Sequence, residues 1–156
     1  MKAVLLAVLA GVCWGVGEVF TKSVLHSGKV GPMTVLLVRA LMTVPPAIVA
    51  YLVAYSLLKS EPRGWWQAGT PLMLKLALGS ALLAGFAGVF FFYLGLASGD
   101  ISVVKPIAFT VGPAVAVLLA WFVLKEPMTP AKVAGVALVL VGVVLIAATG
   151  GEPTPP

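Results

Sequence analysis

Ala3-Val4-Leu5-Leu6-Ala7-Val8-Leu9-Ala10-Gly11-Val12-Cys13-Trp14-Gly15-Val16-Gly17-Glu18-Val19-Phe20-Thr21-Lys22-Ser23-Val24-Leu25 carries only two charged side chains, Glu18 and Lys22, both toward its far end. The run exceeds the roughly 20 residues that an α-helix needs to cross a hydrocarbon core about 30 Å thick. Its start, with Lys2 ahead of apolar residues and Ala10-Gly11-Val12 ahead of Cys13, has the outline of a secretory or lipoprotein signal. Two features argue against cleavage: Val12 is a poor residue before a lipidated cysteine, and the apolar stretch outlasts a signal's apolar core. The segment reads as a membrane span. Four more apolar runs follow, over 32–58, 72–97, 101–124 and 130–149, and none has the ten-residue alternation of a barrel strand. The expected fold is therefore an all-α membrane protein with five transmembrane helices, one domain over 1–149, and a disordered polar tail over 150–156.

Composition agrees. Of the 156 residues 61% are hydrophobic and 10% charged, so a water-soluble fold would have to display its apolar excess on its own surface. The mean hydropathy of +1.13 says the same. A net charge of +5 raises the question of nucleic acid, but the ten Lys and Arg are scattered between apolar runs and form no stripe, so no nucleic-acid partner is expected. Cys13 is the only cysteine and His26 the only histidine, which excludes an intrachain disulfide and leaves no metal-ligand set. No cofactor is expected. Walker, nucleophile-elbow and His–Glu metal motifs are absent and the interfacial loops are short, so an enzyme is not expected either.

The breaks between runs have turn chemistry. Ser27-Gly28 and Gly31-Pro32 separate the first two spans, and Lys59–Pro71, with the interface residues Trp65 and Trp66, separates the second and third. Lys2, Lys59, Arg63, Lys75, Lys125 and Lys132 fall on one side, against Lys22, Lys29 and Lys105 on the other. That bias places the N-terminus in the cytoplasm and, after an odd number of spans, the C-terminus outside, in the cell (inner) membrane.

Charged groups inside a span cost at least about 2.5 kcal/mol each to insert and ask for a reason. Glu18, Lys22, Arg39 and Lys105 all fall in the outer half of the membrane on this topology. At about 1.5 Å per residue, Glu18 and Arg39 lie at a similar depth, roughly 10 Å below the outer surface, which allows an ion pair between their helices. Trp14, Glu18 and Lys22 share one helical stripe at four-residue spacing. Three cations around one anion would make a positive chamber suited to a carboxylate or phosphate. The alternative is a Glu18–Arg39 pair that only fixes register, with Lys22 and Lys105 reaching back to the surface. Tyr93 and Thr110 could add hydrogen bonds, although Tyr93 by itself reads as a core residue. Pro45-Pro46, Pro106 and Gly112-Pro113 remove backbone donors inside spans and are expected to bend or break them, as such residues do beside carrier binding sites.

These residues resemble the drug/metabolite transporter superfamily, in particular a single EamA-type unit of five helices. Trp14-Gly15 followed by Lys22 is similar to that family's span-one pattern, and Tyr93-Leu94-Gly95-Leu96-Ala97 to its Tyr-x-x-Ala-Leu stretch with two residues reordered. The most specific likeness is the order Pro106, Gly112-Pro113, Ala120-Trp121-Phe122-Val123-Leu124-Lys125-Glu126, then Gly135 and Gly142. The resemblance implies a secondary transporter working by alternating access, with membrane lipid and a small-molecule substrate as partners. The substrate would be a small anionic or zwitterionic metabolite, amino acids among them. It would be bound by Trp14, Glu18, Lys22, Arg39, Tyr93 and Lys105. Many members join two five-helix halves of opposite orientation, so one half alone implies a homodimer or a pair with a related five-helix subunit. An antiparallel homodimer needs both orientations, and the lysine bias leans the other way. Multidrug-resistance relatives place a coupling Glu about eight residues before the span-one Lys; Trp14 stands there in this chain. A lipid-head-group flippase and a non-transporting membrane subunit are the competing readings.

Overall fold

Lipid offers no hydrogen bonds, so each spanning backbone must satisfy itself, and a continuous apolar run longer than a bilayer has the helix as its open solution. The computed structural model, which describes residues Met1–Thr149, has five helices long and apolar enough to span: Lys2–His26, Pro32–Leu58, Thr70–Ser98, Ile101–Val123 and Pro130–Ala148. No strand occurs among the described residues. The polar tail over 150–156 lies outside the described residues. The chain forms two compact units, Met1–Ala97 and Ser98–Pro156.

In the first unit, α1 (Lys2–His26) ends where Gly28 adopts a left-handed φ of 67°, a conformation that glycine takes without cost. α2 (Pro32–Leu52) starts with Pro32 in its first turn and runs through Pro45-Pro46 without interruption before continuing as wider π-turns over Val53–Leu58. That span closes with Lys59 in the left-handed region and the Ser60 amide donating to the Ala54 carbonyl at 3.0 Å. Trp65 Nε1 donates to the Tyr51 hydroxyl at 2.9 Å and ties the connecting loop back to the second span. The third span has three parts: α3 (Thr70–Leu74), π-turns over Lys75–Ala87, and α4 (Gly88–Ser98).

The second unit is α5 (Ile101–Val123) and α6 (Pro130–Thr149), packed on each other. α5 continues through Pro106, Gly112 and Pro113 as one helix. It closes as the second span does, with Lys125 at φ 57° and the Glu126 amide on the Ala120 carbonyl at 3.1 Å. Both left-handed lysines put a cation at the carbonyl end of a helix, where the dipole is negative.

Burial is inverted relative to a soluble protein. The buried residues include Glu18, Tyr93 and Thr110, while most Leu and Val side chains face outward. With lipid as solvent, outward apolar side chains cost nothing and packing falls to small and polar residues.

The π-turns bring backbone close to backbone. A Cβ on Gly85 would lie 3.1 Å from the Ser80 carbonyl oxygen, whereas one on Gly79 would meet nothing within 4 Å. Gly85→Ala should therefore cost about 1 kcal/mol or more through overpacking, seen as a lowered midpoint of thermal unfolding in detergent. Gly79→Ala, in the same segment, should match the parent chain.

Candidate functional site

One hydrogen-bond network organises the first unit. Arg39, on α2, directs Nη1 to two acceptors, Glu18 Oε1 on α1 at 3.2 Å and the Tyr93 hydroxyl oxygen on α4 at 2.6 Å. Its guanidinium carbon also stands 5.7 Å from the centre of the Tyr93 ring, within reach of a cation–π attraction. Three elements thus meet on one nitrogen.

The pair is lopsided in two respects. The Glu18 side chain is 5% exposed and that of Arg39 35%, so the carboxylate has left solvent and the guanidinium has not. The contact is also single-pronged. Glu18 Oε2 is buried and has no hydrogen-bond partner among the described residues. The hydrogen bonds of Arg39 all run through Nη1, so its Nε and Nη2 edge makes none among them. A bidentate Arg–carboxylate pair would have used both oxygens. A buried carboxylate oxygen left without a donor costs on the order of 1–3 kcal/mol.

A cavity of about 550 Å³ opens on this network, within the usual size range of small-molecule sites. Trp14, Glu18 and Thr21 line it from α1, Thr34 and Arg39 from α2, and Tyr93 from α4. The helical repeat explains the membership: Trp14 and Glu18 are four residues apart on α1, and Val35 and Val38 precede Arg39 on the same side of α2. Cys13, Thr21 and Thr34 line it too and carry no sequence signal beyond their helical spacing from Glu18 and Arg39. The charged side chains that the first unit contributes to its wall are one carboxylate and one guanidinium.

The remaining candidates do not line this cavity. Lys22 continues the Trp14–Glu18 stripe, but its Nζ donates to the Leu96 carbonyl at 3.0 Å and it is not part of the cavity wall. Lys105 belongs to the second unit, where its Nζ stands 5.2 Å from the centre of the Phe109 ring. Pro113 lines a small cavity of about 140 Å³ in that unit with Thr110 and Ala114. Pro106 and Gly112 lie within α5. No cluster of metal-ligating side chains occurs among the described residues.

The EamA-like transporter family matches this chain over residues 1–148. An uncharacterized protein of Methanocaldococcus jannaschii is 26% identical over 144 residues, covering 92% of this chain and 95% of its own length. No solved structure matches.

The asymmetry of the ion pair gives a measurable order of stabilities. Arg39→Gln leaves the buried carboxylate without its cation and should lower stability by about 1–3 kcal/mol, discounted from a fully buried pair because Arg39 is partly solvated. Glu18→Gln together with Arg39→Gln should recover part of that loss. Thermal unfolding of the single and double variants checks this. A double variant as unstable as the two single losses added together would show that the pair is not coupled.

Proposed function

Because this chain belongs to the EamA-like transporter family, we propose that it is a secondary carrier for a small metabolite, zwitterionic in preference to anionic, with amino acids among the candidates. It would work by alternating access in the cell membrane with its N-terminus in the cytoplasm, paired with a second copy or a related five-helix subunit, and it would catalyse no covalent step.

The observation that carries this reading is the unused capacity on both sides of the ion pair. Among the described residues Glu18 Oε2 lacks a donor, and Nε and Nη2 of Arg39 lack an acceptor. A ligand with an ammonium group and a carboxylate supplies both and leaves the chamber neutral. A phosphate or dicarboxylate satisfies Arg39 alone and brings net negative charge beside the buried Glu18. Like charges held close in low dielectric cost several kcal/mol. Trp14 supplies an aromatic wall for an apolar substituent.

Arg39 is required by this account as a fork and not only as a charge. Arg39→Lys keeps the cation but loses the planar edge. In proteoliposomes loaded with a mixture of neutral amino acids, counterflow through Arg39→Lys should fall about tenfold or more, with the size-exclusion profile unchanged. Flux equal to that of the parent chain would remove Arg39 from the site.

A further inference from the structure

Lys22 sits one turn beyond Glu18 on α1, half-buried, where a second ligand-binding cation is easy to imagine. Its ammonium is spent differently. Nζ donates to the carbonyl of Leu96, the third residue from the end of α4, at 3.0 Å. The last four carbonyls of a helix have no partner inside it and carry the negative end of its dipole, so a lysine there satisfies an orphan acceptor and a partial charge together. Leu96 is fully buried and so is Tyr93, three residues earlier and about 4.5 Å along the same helix.

α1 therefore holds α4 at two levels. At one, Glu18 reaches Tyr93 through Arg39; about 6 Å farther along α1, Lys22 grips the backbone directly. The upper tie has no freedom of side-chain choice at its acceptor, because a backbone carbonyl moves only with its helix. Tying the Leu96 carbonyl to α1 restrains the end of α4 three residues beyond Tyr93. The Tyr93 hydroxyl in turn accepts a hydrogen bond from Nη1 of Arg39 at 2.6 Å.

We propose that Lys22 is a positioning residue: it pins the end of α4 so that Tyr93 orients Arg39, and it does not touch the substrate. This rests on the carrier reading for its consequence in transport but on the geometry of the first unit for its cause.

The test is a cycle of Lys22→Gln, Tyr93→Phe and the double variant, with Lys22→Arg as the conservative change, assayed for counterflow of neutral amino acids. If Lys22 acts through Tyr93, each single variant lowers maximal flux by a similar factor, about tenfold, the double variant is no worse than either, and Lys22→Arg restores most of the loss. A selective rise in KM for Lys22→Gln, multiplying with the effect of Tyr93→Phe, would make Lys22 a ligand and overturn the proposal. So would unchanged flux in Lys22→Gln. If the parent chain carries no flux, the carrier reading fails separately. The proposal is then decided by the alkylation rate of Cys13, which lines the same cavity. Equal changes in that rate for Lys22→Gln, Tyr93→Phe and the double variant support it, and unequal or additive changes refute it.

Discussion

A single guanidinium nitrogen, Arg39 Nη1, holds three spans of the first unit to one another. It meets a carboxylate on α1 and a phenol on α4 at once. In water such an arrangement would gain little, since each partner could exchange its bond for one to solvent. The buried Glu18 carboxylate has no such exchange, and an unpaired group there carries its full desolvation cost. The same environment that makes the pair cohesive makes its incompleteness informative. Glu18 Oε2 is buried without a donor beside a cavity of small-molecule size.

The rest of the fold gives this network its setting. Most apolar side chains face outward, so lipid contact, and not a hydrophobic core, occupies the leucines and valines. Cohesion between the helices of the first unit then falls to polar ties such as the Lys22 and Arg39 bonds. Helix ends are closed by local devices, with glycine or lysine in the left-handed region and amides reaching back across the last turn. The wider turns over Lys75–Ala87 precede α4, which carries Tyr93 and Leu96, and depend on a glycine where a Cβ would crowd a carbonyl.

Much of this was legible in the order of residues. Span number follows from run length against bilayer thickness, and the five helices of the structure answer to the five apolar runs. Depth counting at 1.5 Å per residue put Glu18 and Arg39 level with each other, and they stand 3.2 Å apart. The partner of Lys22 is not legible in the sequence: its ammonium is drawn to a backbone carbonyl, an acceptor that every residue carries and no side-chain pattern marks. Tyr93 read as a core residue, and it is both buried and hydrogen-bonded, a combination visible only once α2 and α4 are placed. The prolines of α2 and α5 remove backbone donors inside their spans, and both helices run on through them. The π-turns of the second and third spans have no periodicity of their own in so uniformly apolar a sequence.

Cys13 offers a direct view of whether Glu18 and Arg39 together form a ligand site. This cysteine, the only one in the chain, is exposed and lines the cavity. The measurement is the rate of its alkylation by N-ethylmaleimide in native membranes, with and without a saturating mixture of neutral amino acids, and in parallel with a mixture of organic phosphates and dicarboxylates. The account predicts that the amino acids slow alkylation of the parent chain and not of Glu18→Gln, while the anions leave both unchanged. Protection by the anions alone, or protection by amino acids that survives in Glu18→Gln, would contradict it.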